Sequence, residues 1–398
     1  MDMISKLPPN IIETILCFLP IQEAARTSIL STEWRYHWTK IPKLVFIEEA
    51  FQVSTDDDGE LSDMGQPYVH PTQRNEMIKR RKLFDAIRQV LSKHEDPIHE
   101  FTLSMVTDGS SEIERILFLL AQKNTVRKLT LEFISVYKLY SILFFFDRLI
   151  DLRLTGCDLD YEPMFEGFRD LASLYLQEVM TSRKALLHIL STCPLLKSVY
   201  LDMDHLDFDE SDDSTVVNLV ECLPMVENLS IGFGIIECFT HDGIPQELPI
   251  ALVHLKYLCI KDICFTHNYG LPSLFLLIKS SPNLEKLKLE ILDDSWVEIS
   301  ERRDSFTLKE DLAIWLEHLK ELEIVNMIYR NAELDFVKVI LAKSPMLKKV
   351  KIFLYNEVAK DEALHISGIL KQSPHASSVV EFFVEIIGGS GSRSRCVM

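Results

Sequence analysis

From residue 98 onward one short pattern recurs, two apolar residues separated by a single residue, and it restricts the fold more than any other feature of the chain. The pairs are Phe101/Leu103, Leu129/Leu131, Leu152/Leu154, Leu174/Leu176, Val199/Leu201, Leu229/Ile231, Leu258/Ile260, Leu287/Leu289, Leu322/Ile324 and Val350/Ile352. They are separated by roughly 22 to 35 residues, the range of stacked structural repeats. Alternation of period two makes a short strand that buries one face. Between strands, Leu186, Leu187 and Leu190, or Val337, Ile340 and Leu341, carry helical spacing. A proline then stops the helix at Cys193-Pro194, Leu223-Pro224, Ser281-Pro282 and Ser344-Pro345. One helix and one strand cannot hide their apolar faces alone. Stacked copies can, and the expected fold is α/β, a curved solenoid with a parallel sheet on its concave side. A doubly wound sheet competes, but the proline-strand cassette recurs too regularly, and no glycine-rich turn follows the first strand.

Most pairs have another apolar residue three positions earlier, as in Leu284-Glu285-Lys286-Leu287-Lys288-Leu289. That is the leading half of a leucine-rich repeat, L-x-x-L-x-L. In such a horseshoe the outward strand positions form the candidate surface for a target protein. Here they are Thr130, Glu132, Arg153, Thr155, Tyr175, Gln177, Tyr200, Asp202, Lys261, Lys288 and Glu290, a chemically mixed set.

The first 46 residues are a different kind of block. Pro8 and Pro9 sit where a helix starts, and Ile11, Ile12, Ile15, Leu16 and Leu19 continue it until Pro20 stops it. A second short helix is expected over about Ile21 to Leu30. A third contains Trp34 and Trp38, four apart and so on one helical face. A three-helix unit of about forty residues is near the limit of independent stability. It also carries more large apolar side chains than so small a core can hide, which suggests a partner that receives helices. A helical cap that seals the first repeat is the plainer alternative.

The block resembles an F-box of the version common in plants. The resemblance rests on Leu7-Pro8, the run Ile15-Leu16-Cys17-Phe18-Leu19-Pro20, the stretch Ala25 to Ser31, and Trp34-Arg35-Tyr36-His37-Trp38. Pro9-Asn10 and Glu33 depart from the usual pattern. The resemblance implies docking onto a Skp-type adaptor, and through it to cullin and RING subunits of a ubiquitin ligase. The residues expected to dock are Leu7, Pro8, Ile11, Ile12, Ile15, Leu16, Leu19, Pro20, Leu30, Trp34 and Trp38. Phe306 to Tyr355 is similar to the FBD region of plant F-box repeat proteins, although it also reads as two ordinary repeats. The implied organisation is an F-box at 1–46, a linker and amphipathic helix at 47–97, leucine-rich repeats at 98–300, an FBD region continuing the repeats at 301–387, and a tail at 388–398. The implied role is a non-catalytic subunit that recognises a target; a repeat scaffold or signalling module outside any ligase is the alternative.

Composition narrows the partners. A net charge of -18 and a pI near 5.1 disfavour nucleic acid, which needs a cationic face. The longest apolar stretch, Ile142 to Phe146, is far short of a membrane span, and the start Met1-Asp2-Met3 has no basic leader. Eight scattered cysteines without a paired framework point to a reducing compartment, cytoplasmic or nuclear. Cys396 lies one residue too late for a prenylation box. No cofactor is implied. His254, Cys259, Cys264 and His267 lack a compact zinc spacing, with one of the cysteines expected to be buried and the other to face out. The acidic run from Asp202 to Asp213 lacks the glycine of a calcium loop. Gly232-Phe233-Gly234 lacks the third glycine of a nucleotide fingerprint, and Lys79-Arg80-Arg81-Lys82 on a predicted helix reads as a solvated face.

Overall fold

The computed structural model describes residues 7–19, 21–31, 34–51, 71–107, 111–139, 141–159, 166–203, 206, 214–240, 243–265, 269–292, 314–328, 331–355 and 360–386. Pro20, Glu33, His267, the polar stretch 52–70, most of the 202–213 acidic run and the tail lie outside these residues. The chain forms two compact units, Met1–Thr181 with Thr192–Leu195, and Ser182–Ser191 with Leu196–Met398.

The first unit contains α1 (Pro9–Cys17), α2 (Ile21–Arg26), β1 (Lys43–Ile47), α3 (Pro71–Lys93), β2 (Glu100–Met105), α4 (Glu112–Lys123), β3 (Lys128–Leu139), β4 (Asp151–Leu159) and β5 (Ser173–Gln177). Three 3-10 turns complete it, at Thr27–Ile29, Trp34–Thr39 and Ser141–Phe145. The second unit holds α5 (Arg183–Ser191), β6 (Ser198–Asp202), α6 (Val216–Glu221), β7 (Asn228–Gly232), α7 (Phe233–Thr240), β8 (Tyr257–Ile263), α8 (Gly270–Lys279), β9 (Lys286–Ile291), β10 (Glu321–Met327), α9 (Asn331–Lys343), β11 (Lys349–Leu354), α10 (Lys360–Gln372) and β12 (Glu381–Ile386). Each unit has a parallel sheet whose strands follow chain order, so both are α/β.

The apolar pairs fall on β2 to β11, in register. Phe101 lies beside Leu129, Leu129 beside Leu152 and Leu152 beside Leu174. In the second unit the same column runs Val199, Leu229, Leu258, Leu287, Leu322 and Val350. All are buried, so within each unit every repeat adds a layer to an apolar ladder. The proline-stopped helices end where expected, α5 at Ser191, α6 at Glu221, α8 at Lys279 and α9 at Lys343. Just before most strands one backbone carbonyl accepts two N–H groups from the next repeat. His99 O takes Arg127 N and Lys128 N at 2.8 and 3.0 Å, and Glu227 O takes Lys256 N and Tyr257 N at 2.8 and 3.1 Å. Arg127, Ile150, Lys197, Lys256, Glu285 and Lys320 repeat the arrangement. The rung is made by backbone alone and is therefore indifferent to the side chain at that position.

Four features differ from the sequence reading. Two strands extend the ladder beyond the recognised pairs: β1, with Leu44 beside Phe101 and Phe46 beside Leu103, and β12, with Phe382 beside Val350. The third helix of the N-terminal block is a 3-10 helix. In that geometry each residue turns by about 120°, so positions four apart diverge instead of sharing a face. Trp34 is accordingly buried while Trp38 is half-buried. The amphipathic helix starts at Pro71 and its basic run is not uniformly solvated, because Arg80 is buried. Finally, β3 and β4 run on past an irregularity between Glu132 and Tyr137 to pair again at Tyr137 and Cys157. The crossing requires Gly156, whose φ is +66° and where an added Cβ would stand 2.0 Å from Phe133 O.

The packed ladder also governs the thiols. Burial pushes the Cys193 thiol up to about 11, and pushes Cys157 higher still. Alkylation with iodoacetamide at pH 8, mapped by mass spectrometry, should therefore leave both unmodified until the chain is denatured. Rapid labelling of either in the native protein would contradict this packing. Because an unfolded Cys193 ionises near its ordinary 9.0 and the folded one near 11, the native state loses stability as pH rises across that interval.

Candidate functional site: the N-terminal helical segment and the outward sheet face

Pro8 and Pro9 fix the start of α1, and the orphan carbonyl of Pro8 is taken by Ile11 N and Ile12 N at 2.9 and 3.2 Å. The helix then sorts its apolar residues by face. Ile12 and Leu16, four apart, turn inward and are buried, joined by Ile21 and Ala24 of α2 and by Trp34. Ile11, Ile15 and Phe18, at positions i, i+4 and i+7, lie on the opposite side and are exposed, Phe18 to 84%. Past α2, Ile29 is 87% exposed and Leu30 is exposed beside it. Such a density of uncovered large apolar side chains on one small segment is what a partner-binding surface presents.

The expected docking residues thus divide. Ile12, Leu16 and Trp34 form the segment's own core, Leu7, Leu19 and Trp38 are half-buried, and Pro8, Ile11, Ile15 and Leu30 are exposed. Phe18 and Ile29, the two most exposed, were not among the expected residues, although the i, i+4, i+7 spacing of Ile11, Ile15 and Phe18 was there to be read. Local hydrogen bonds hold the short turns. Ser28 Oγ donates to Arg35 O at 3.1 Å, Trp34 N donates to Ser31 Oγ at 3.3 Å, and Thr39 Oγ1 donates to Tyr36 O at 2.7 Å. A cavity of about 330 Å³ opens between the end of α1 and β1, lined by Cys17, Phe18, Leu19, Ile21, Val45 and Phe51 among others. Burial raises the Cys17 thiol there, against the opposing pull of Lys43.

The segment is fastened to the repeats. Besides β1 joining β2, His94 Nε2 lies 2.9 Å from Ile41 O and Glu95 N donates to Thr39 O at 3.1 Å. Glu48 accepts from Arg80 Nε at 3.1 Å and, through its other oxygen, from Val106 N at 2.7 Å. Both side chains of this ion pair are about nine-tenths buried.

The outward strand positions form ordered columns. In the first unit Thr130, Arg153 and Tyr175 share one column, and Glu132, Thr155 and Gln177 the next. Arg153 stacks over the Tyr175 ring at 5.6 Å, and the Tyr175 hydroxyl donates to Gln177 Oε1 at 2.7 Å. In the second unit Tyr200 is buried, contrary to the expectation of an open outward residue, because Lys261 lies over it. Gly232 stands between their strands without a side chain, so Lys261 Nζ reaches the Tyr200 hydroxyl at 2.8 Å and pairs with Asp202. Burial would lower the Lys261 pKa, but the Asp202 carboxylate outweighs it and the net shift is upward. Lys288 pairs with Glu290 at 2.9 Å and with Glu323 at 3.6 Å. These polar groups satisfy one another. Of the suspected zinc residues, Cys259 is buried on β8 and Cys264 is half-buried just past it. Among the described residues no group of three His, Cys, Asp or Glu side chains has the geometry to hold a metal ion, and no helix is long and apolar enough to cross a membrane.

The described residues thus present an exposed apolar helical segment fixed to a parallel repeat sheet. Residues 4–46 match the F-box domain. Along most of its length the chain is similar to an F-box/FBD/LRR-repeat protein of Arabidopsis thaliana, with 27% identity over 88% of this chain and 91% of the relative. It is also similar to a putative F-box/LRR-repeat protein of that plant, 28% identical over 73% of this chain and 62% of the relative. A further F-box/FBD/LRR-repeat protein of the same plant is 29% identical over 50% of this chain and 42% of its own length. The chain spans less than two thirds of the latter two relatives. The chain is thus similar to plant F-box/FBD/LRR-repeat proteins and carries a match to the F-box domain at residues 4–46. F-box proteins in general act as substrate receptors of ubiquitin ligases built on a Skp-type adaptor.

Proposed function

We propose that this protein is the substrate-receptor subunit of a cullin-RING ubiquitin ligase and has no catalytic centre of its own. The observation that carries the reading is the uncovered row Ile11, Ile15 and Phe18 on α1, with Ile29 and Leu30 beyond it, within the stretch that matches the F-box domain. This row is the docking surface for the Skp-type adaptor, with Leu7 and Pro8 at its margin and Ile12, Leu16 and Trp34 supporting it from beneath. The repeats form a horseshoe, residues 301–387 are the FBD region continuing it, and the outward strand positions meet a target protein. On that face the first unit is the better candidate. Arg153, Tyr175 and Gln177 offer a stacked cation, an aromatic ring and an amide, with Arg153 paired only loosely to Asp151 at 3.4 Å, whereas Lys261 and Lys288 are held in shorter ion pairs with Asp202 and Glu290.

Co-expression with a Skp-type adaptor tests the docking. The two chains are expected to co-elute as a 1:1 complex in size-exclusion chromatography, and Leu7→Ala with Pro8→Ala to reduce the complexed fraction. If the chain purifies alone and the double variant changes nothing, it is a scaffold acting outside a ligase.

A further inference from the structure

The ladder does not close at β12. That strand pairs with β11 from Lys349–Glu381 to Leu354–Ile386, and no other described strand takes its far side. Its row of backbone N–H and C=O groups on that side is therefore a template for another strand. The apolar core runs on to the same place. The inward residues of β9, β10 and β11 are buried, yet Phe382, Val384 and Ile386 of β12 are only half-buried. Within its described residues β12 contains no proline or lysine and its register with β11 is unbroken, so Glu381 and Glu385 are the charges its edge carries.

The outward charges indicate what would fit. They alternate from strand to strand. One column reads Lys286, Glu321, Lys349, Glu381, and the next reads Lys288, Glu323, Lys351, Phe383. Ion pairs tie the alternation together, Lys351 to Glu321 at 2.6 Å and Lys288 to Glu323 at 3.6 Å. Glu381 is exposed at the end of the first column, so the next strand in that sequence of charges would bring lysine beside it, whereas Glu385 lies next to Phe353 in a third column.

We propose that the far edge of β12 is a strand-addition site for an extended segment of a partner protein in which lysines alternate with apolar residues. The partner's apolar side chains complete the half-covered row of Phe382, Val384 and Ile386, its first lysine meets Glu381, and the next lies beside Phe383. β11 shows the fit on the near side, with Lys349 beside Glu381, Val350 beside Phe382 and Ile352 beside Val384. Both edges of a parallel strand present the same alternation, so a copy of that segment suits the far edge as well. The site is independent of adaptor docking.

The test uses the full chain and a fluorescein-labelled peptide copying residues 349–354, with a control peptide carrying glutamate in place of its first lysine, the one that β11 sets beside Glu381. Fluorescence anisotropy should show saturable 1:1 binding of the first peptide and about fivefold weaker binding of the second, the scale expected when one favourable cross-strand charge pair becomes a repulsive one. Glu381→Lys should reverse that preference; the residue is exposed, and circular dichroism checks that the fold persists. Equal affinity for the two peptides, no saturable binding, or an unreversed preference in the variant would each overturn the proposal. A dimer of the chain that the peptide dissociates would overturn it too, since the edge would then belong to a second copy.

Discussion

Aspartate at both Ile15 and Phe18 is expected to weaken adaptor binding by about a hundredfold or more, the range reached when two central apolar anchors of an interface are lost. Thermal unfolding of the free chain should hardly change. Phe18 already faces water almost completely and Ile15 is 39% exposed, so replacing them removes far less packing than a change at a buried position. Leu16→Asp supplies the contrast. It introduces a charge at a fully buried position and should prevent folding of the segment rather than merely its docking. Isothermal titration with the adaptor, beside differential scanning fluorimetry of each free variant, separates the two effects. Retained affinity in the Ile15/Phe18 variant would place the adaptor elsewhere.

The second large effect is at the junction. Glu48→Ala should lower the unfolding free energy by about 3 kcal/mol, as expected when one member of a buried ion pair is removed. Two losses combine there. Arg80 keeps its buried position without the Glu48 carboxylate, and Val106 N–H loses its acceptor. Glu48→Gln restores an acceptor without the charge and should fall between wild type and Glu48→Ala. Urea unfolding followed by tryptophan fluorescence reads both, since Trp34 lies in the segment that this junction secures. Equal stability of all three forms would mean that the pair contributes nothing.

The repeat sheet was legible because its signal is redundant: ten apolar pairs state the same alternation, and within each unit each occupies a strand in register with the next. The strands at the two ends were harder to read. Leu44 and Phe46 lie inside a block that reads as helical, yet Ile41 stands three residues before them as in the other repeats. β12 reads Glu381-Phe382-Phe383-Val384, where Phe383 blurs the alternation and the apolar residue three positions ahead, Val379, is exposed. In the docking segment the helices were legible from their prolines, but spacing alone could not separate the inward from the outward side, nor a 3-10 turn from an α-helix around Trp34. Arg80 was misread for a different reason. A run of four basic residues looks solvated until its partner is known, and Glu48 is 32 positions away. Tyr200 was misread likewise, being covered by a lysine 61 residues on.

The carbonyl that accepts two N–H groups before most strands makes the repeats interchangeable at their seams. His99, Arg127, Lys256 and Glu285 offer the same acceptor, at the same place, to whatever repeat comes next. Removing one complete repeat would therefore leave its two former neighbours able to join through groups that each already possesses. Duplicating a repeat would do the same. A chain so jointed can change its copy number, and with it the extent of its outward sheet face, without relearning how to fold.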